Sequence, residues 1–152
     1  MTSIIEYFQT NGLNYTAVGS SYLRNSYSSY NPYNVFVNNS NMFHSSRDSP
    51  CQWWQISFEI PVAITSYTIF RSKSNNCYPN RWGISYSMDG ESFTHLQEDS
   101  GNTHGNVILF SITKQFNCKH FRITAISNFA CSKALFFDYF NCYGTAGKFK
   151  HI

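Results

Sequence analysis

Residues 53–60 read WWQISFEI. Trp54, Ile56, Phe58 and Ile60 fall on one side of an extended chain, and Gln55, Ser57 and Glu59 on the other. Side chains alternate across a strand with a period of two, so this stretch reads as a strand with one face in a core and one toward solvent. The pattern recurs. RWGISYS puts Trp82, Ile84 and Tyr86 on one face, and SMDGESF then supplies Asp89-Gly90, a pair that accepts the positive φ of a tight hairpin. Phe93 and Leu96 mark the return strand. ITSYTIFR (64–71), NVILFSI (106–112), HFRITAI (120–126) and ALFFDYFNCYG (134–144) are further strand candidates. A single short helix is expected at the start. Ser3 and Glu6 form a capping box, Ile4, Ile5 and Phe8 share a face, and Gly12 stops the helix. Many short strands with Gly-, Asn- and Ser-rich turns and almost no helix mean an all-β antiparallel sandwich or jelly roll. There is no internal repeat and no dividing linker. The organisation expected is a helix over 1–12, one sandwich domain over 13–144 and a tail over 145–152.

Charge and composition exclude several functions. Charged residues make up 12% of the chain and the net charge is +3, with no block of Lys or Arg. Nucleic-acid binding needs a clustered basic stripe, so no nucleic-acid partner is expected. No run approaches the ~20 apolar residues of a membrane span. The N-terminal segment MTSIIEYFQTNG lacks the features of a signal peptide, so a cytoplasmic location is expected. Five cysteines, an odd number with no CxxC, fit reduced and mostly buried thiols better than a disulfide framework.

No catalytic constellation stands out. His44, His95, His104, His120 and His151 are dispersed and read as surface or turn histidines. Ser111 and Lys114 match SxxK, but at the end of an apolar β run rather than on the helix that chemistry needs. Glu98, Asp99 and Asn102 lack the alternating oxygen ligands of a calcium loop. No enzyme activity, cofactor or metal is therefore expected.

Binding remains. Residues 20–33 read SSYLRNSYSSYNPY. Tyrosine offers an apolar face and a polar tip at low entropic cost, and Ser and Asn are adaptable hydrogen-bonding neighbours, the chemistry of recognition loops. Tyr22, Tyr27 and Tyr30 are expected to face outward beside Leu23 and Arg24. Tyr33, after Pro32 and before Val35-Phe36, is expected to plug the core. Asn76, Tyr78 and Asn80 can join the same surface from a later loop.

The segments CQWWQISFEIPVAITSYTI, RWGISYSMDGESFTHL, GNTHGNVILFSI, KHFRITAI and ALFFDYFNCYG, in this order, resemble the coagulation factor V/VIII type C or discoidin domain, a galactose-binding-like jelly roll. The resemblance covers about residues 13–144. It implies an eight-stranded sandwich with ligand-facing loops at one end. Residues 20–33 fall on the first such loop, NMFHSSRDSPC, with Arg47, on the second, and SKSNNCYPNR on the third. In relatives these loops hold sugars, anionic lipid headgroups or other proteins. Three departures are visible. Val37-Asn38 stands where calcium-binding members carry Asp-Gly, Ser57 where a strand Asp is common, and no cysteine precedes Cys51 to form the secreted members' end-to-end disulfide.

These features rank four functions. A non-enzymatic intracellular protein–protein module comes first, a scaffold or assembly subunit of the cytoskeleton or cilium type. A carbohydrate-binding, lectin-like module is the alternative. Binding to an anionic membrane has weak electrostatic support at +3, and an enzyme comes last. The residues expected to touch the partner are Tyr22, Leu23, Arg24, Tyr27, Tyr30, Arg47, Asn76, Tyr78 and Asn80. A concave pocket with one ring and a few convergent polar groups would mark a glycan site; a flatter patch would mark a protein interface.

Overall fold

The computed structural model describes residues 2–22, 30–36, 42–46, 51–70, 78–103, 105, 107–129 and 134–147. The expected helix is present as α1 (Ile4–Thr10), and the Ser3 hydroxyl accepts the Glu6 amide at 3.2 Å. The capping hydroxyl also donates to Asn141 Oδ1 at 2.9 Å, so the cap ties the helix to the last strand. Ile4, Ile5 and Phe8 are buried, as their spacing requires.

The strands are β1 (Tyr15–Gly19), β2 (Phe43–His44), β3 (Trp53–Phe70), β4 (Tyr78–Ser87), β5 (Thr94–Ser100), β6 (Phe110–Ser111), β7 (Cys118–Phe129), β8 (Phe136–Phe137) and β9 (Tyr139–Ala146). All the pairings are antiparallel. One layer runs β1-β3-β7-β4-β5. β3 serves two layers. Residues 53–57 pair with β7, the register breaks between Ser57 and Val62, and residues 62–70 pair with β9. Pro61 lies in the break, where no ladder amide is needed. The strand stretches read at 53–60 and 64–71 are thus joined in one continuous strand that bends. Conversely, among the described residues of the stretch 106–112 a ladder forms only at Phe110–Ser111, and 134–144 is interrupted at Asp138.

The alternation predicted the core faces. Trp54, Ile56, Trp82, Ile84, Phe121 and Ile123 are fully enclosed from one layer, and Tyr67, Ile69, Phe140 and Cys142 from the other. Rings join the layers. Trp54 lies 4.7 Å from Phe140 and Tyr67 lies 5.7 Å from Phe121, centroid to centroid. The tyrosine hydroxyl has partners in this apolar setting. Tyr67 accepts the Trp82 indole N–H at 2.7 Å and donates a very short hydrogen bond to Asp99. Burial, and then the Asp99 hydrogen bond and charge, push its ionisation well above the usual tyrosine range. Gly144 is required where β9 crosses β3, since a Cβ there would overlap the Ala63 carbonyl oxygen.

The thiols are as expected where described. Cys118 and Cys142 are buried and free, Cys51 is exposed and free, and Cys77 and Cys131 lie outside the described residues. Burial pushes the Cys118 thiol up to about 12. Among the described residues no helix is long and apolar enough to cross a membrane.

Strand directions decide where the connections emerge. Gly19 pairs opposite Trp54, so the excursion 20–52 leaves and re-enters at one end of the sandwich. Tyr78 pairs opposite Phe129, so β4 begins and β7 finishes at that same end. Ser3 bridges Tyr143, and Ala146 pairs opposite Val62, so the helix, the 112–117 turn and the last strand's finish lie at the other.

Candidate binding site

The described part of the loop end is built on Gln52. This residue is 6% exposed, and its side-chain oxygen accepts both the Ser20 and the Ser21 hydroxyl at 2.8 Å. Ser20 Oγ in turn accepts the Trp53 amide at 3.0 Å, and Ser21 Oγ accepts the Ser46 amide at 3.0 Å. One buried amide therefore holds the root of the first loop against the second. Ser45 extends the clamp through its hydroxyl, which accepts the Leu135 amide at 2.9 Å. These serines fasten the loop bases, because each hydroxyl can donate and accept at once.

Two aromatic features rise from this base. The first is a shelf beside β1, a cavity of about 510 Å³ lined by Val18, Gly19, Tyr22, Asn31, Pro32 and Tyr33 among others. Its outer wall is a 3₁₀ turn over Pro32–Phe36. With three residues per turn, Pro32 and Val35 share the inward face, and both are buried. The Trp54 indole N–H donates to the Pro32 carbonyl at 2.9 Å and pins the turn to the sheet. Tyr33 is consequently rotated outward and is 49% exposed. This overturns the expectation that Tyr33 plugs the core; a 3₁₀ turn has no hydrophobic signature of its own to read in sequence. Asn31 accepts the Tyr33 amide on its side-chain oxygen at 2.9 Å, so its amide protons remain to be donated. At the floor, a Cβ on Gly19 would come within 2.8 Å of the Phe43 ring, so only glycine lets that ring close the core here.

The second feature is a small cluster in which Tyr30 packs on Met42, Ala134 and Phe136. The His44 ring stacks on Phe136 at 5.0 Å and 14°. His44 Nδ1 lies 2.6 Å from the Ser45 carbonyl oxygen, which can only accept, so Nδ1 carries the proton.

The expected ligand residues divide accordingly. Tyr22 and Tyr30 are at the loop end but half-buried, packed on the core and on the small cluster rather than fully outward. Burying part of each ring offsets the cost of ordering a polar loop. Asn80 is tied to its neighbours. Its side-chain oxygen accepts the Ser127 hydroxyl at 2.8 Å and its carbonyl accepts the Gly101 amide. Tyr78 opens β4. Leu23, Arg24, Tyr27, Arg47 and Asn76 lie outside the described residues. The shelf residues Asn31, Tyr33 and Val18 were missed as site residues; the Asn-Pro-Tyr run was the available signal.

A polar row on the outer face of the sheet was also missed. The Arg122 guanidinium is sandwiched between the Trp53 and Phe93 rings, 3.8 Å and 3.9 Å from their centroids. It donates twice to Gln55 Oε1, Gln55 Nε2 donates to Ser57 Oγ at 3.1 Å, and Ser57 Oγ lies 2.7 Å from His120 Nδ1. Burial, then neighbouring Lys119, lowers the His120 pKa. Asp89 Oδ1 accepts the Ser92 and Glu91 amides and the Ser87 hydroxyl, and among the described residues the Ser57–His120 pair has no carboxylate hydrogen-bonded to the imidazole, as a triad would need. Glu98 is paired with Arg81 and Asp99 is held by Tyr67 and Gln97, so neither carboxylate is presented to a cation. Among the described residues no His, Cys, Asp and Glu cluster could hold a metal ion.

A family model for the F5/8 type C domain matches residues 15–135. No curated protein matches the chain by sequence. Solved structures match over most of its length. A carbohydrate-binding module of a Clostridium perfringens protein, CpGH89CBM32-5, in complex with GalNAc-β-1,3-galactose, is 11% identical with a TM-score of 0.70, covering 86% of this chain and 95% of that one. The family 32 module of C. perfringens NanJ in complex with galactose is 16% identical with a TM-score of 0.68, covering 84% and 92%. The C-terminal domain of a Bacteroides fragilis chitobiase is 10% identical with a TM-score of 0.73, covering 88% and 95%. At these identities the likeness concerns the fold.

Proposed function

The chain belongs to the F5/8 type C domain family, whose domains are typically non-catalytic binding modules, and from that premise we propose that it binds carbohydrate at the loop end of its sandwich. One observation carries the reading. The described loop end holds one open cavity of about 510 Å³ lined by the half-exposed Tyr33 together with Tyr22 and Asn31. A galactopyranose ring, with its 4-hydroxyl axial, has one apolar C–H face and hydroxyls at its edge, so it fits an aromatic wall with a nearby amide donor. Structural neighbours carry galactose and GalNAc-β-1,3-galactose, which makes galactose-type sugars the first class to test. The protein-scaffold reading that the sequence placed first, with its cytoskeletal or ciliary setting, wants a flatter patch of about 800 Å² per partner.

The experiment is calorimetric titration of the chain with galactose, N-acetylgalactosamine and the β-1,3 disaccharide, repeated with Tyr33→Ala. Tyr33 is half exposed, so the variant keeps the fold. Loss of ring stacking is expected to weaken binding about tenfold, the equivalent of ~1.4 kcal/mol. Absence of heat with every sugar, together with a stoichiometric protein partner in a pull-down that survives excess galactose, would reverse the ranking in favour of the scaffold.

A further inference from the structure

We propose that the opposite end of the sandwich carries a second binding site, one that takes a small carboxylate-bearing sugar such as a uronic acid unit. A cavity of about 630 Å³ opens there between β3, the 112–117 turn and Thr145 at the end of β9. Its size lies in the range of small-ligand sites, and so does its construction, an apolar floor with a few polar groups at the rim. Ile64, Ile112 and Phe116 form the floor, each less than 10% exposed. The Phe116 ring is held against Tyr86 at 4.5 Å, so the floor is a fixed surface.

The rim is chemically one-sided. Lys114, Gln115, Asn117 and Thr113 stand exposed around the opening, and no residue lining it is acidic. The Lys114 ammonium sits 6.0 Å over the Tyr86 ring and has no carboxylate partner among the described residues. A cation with no counter-charge, flanked by amide donors, attracts an anion with further acceptor oxygens. The apolar floor asks the same ligand for a C–H face. A bare inorganic anion would leave the floor uncovered, and a neutral sugar would leave the ammonium unused. A uronic acid satisfies both, with its ring on the floor, its hydroxyls on the amides and its carboxylate on Lys114. The site shares no residue with the loop end and does not rest on the reading of that end. If both are occupied, the module is bivalent and bridges two chains or two segments of one polysaccharide.

The test is a ¹⁵N amide-shift titration of the full chain with D-galacturonate, with D-galactose and inorganic phosphate in parallel. Galacturonate is expected to shift the amides of 112–117 and Thr145 saturably, with weaker binding at higher salt. Lys114→Gln is expected to weaken that binding by about tenfold or more, as for loss of a charge-assisted contact, and Lys119→Gln to leave it unchanged. Shifts confined to the loop end, equal affinity in Lys114→Gln, or phosphate shifting the same amides as strongly as galacturonate would each overturn the proposal.

Discussion

Replacing Gln52 by methionine isolates what holds the binding loops in register. The side chain is 6% exposed and nearly isosteric with methionine, so the substitution keeps the volume and removes the acceptor. Two hydroxyl bonds at 2.8 Å are lost, from Ser20 and Ser21. A buried hydrogen bond contributes about 1 kcal/mol net, and a hydroxyl left without an acceptor adds a desolvation cost. Ser20 has a poor substitute in the Trp53 carbonyl at 3.5 Å, while Ser21 must find water. The expected destabilisation is about 2–3 kcal/mol. For a chain of this size each kcal/mol moves the melting temperature by about 2–4 °C, so the midpoint should fall by about 4–12 °C on the same scaling. Urea unfolding is the decisive assay. The midpoint should drop with m unchanged, since the surface exposed on unfolding is the same. A triple variant with Ser20→Ala and Ser21→Ala added should lose less than the sum of Gln52→Met and the Ser20→Ala/Ser21→Ala pair, because the bonds to Gln52 are shared and only the Trp53 and Ser46 amides lose a further acceptor. Sugar affinity should fall alongside, as the two loop roots are freed from one another. A loss below about 0.5 kcal/mol, within the range of ordinary surface substitutions, or full additivity in the triple variant, would refute the claim that Gln52 is the clamp.

Two further outcomes follow from buried and turn polar groups. Tyr67→Phe should destabilise by about 2–3 kcal/mol in the same assay, because it strips the acceptor from the enclosed Trp82 indole N–H and a donor from Asp99; combining it with Trp82→Phe should cost less than the sum of the two, and strict additivity would argue against a network. Amides of Ser92 and then Glu91, with the Ser87 hydroxyl, hold Asp89 down at about 2 against an ordinary 3.8. A depressed carboxylate adds stability above the unfolded pKa and loses it as pH falls through the folded one. Wild type should therefore lose stability between about pH 4 and pH 2, and Asp89→Asn should lack that component of the acid limb; an identical limb in both proteins would show that the turn carboxylate does not contribute.

Much of the architecture was legible because period-two alternation is a direct projection of burial. Trp54, Ile56, Trp82 and Ile84 face inward for the reason their spacing gave. Ser3 caps the helix as its spacing to Glu6 implied. The bend of β3 was less visible, since WWQISFEIPVAITSYTIF contains one proline and no turn signal stronger than that. The candidate site was legible in place but not in orientation. The described parts of the tyrosine-rich segment lie beside the shelf at one end of the sandwich, yet Tyr22 and Tyr30 lean inward while Tyr33 stands out. A 3₁₀ turn repeats every three residues and a short one leaves no periodic signal, so Pro32 and Val35 took the core positions without announcing it.

The sequence by itself determined the class of the fold, the inward faces of the strands that carry Trp54 and Ile56 and Trp82 and Ile84, and the family. These follow from local patterns, in which each residue's environment is set by its neighbours in the chain. Tertiary structure alone decided which side chains form a site. Gln52 meets Ser20 and Ser21 across some thirty residues. Trp53 and Phe93 close on Arg122 from two other elements. Among the described residues Lys114 has no counter-charge beside Ile64, where two layers end. Contacts between residues distant in sequence depend on the bend of β3 and the turn at Pro32, and neither is encoded in the residues that make the contact.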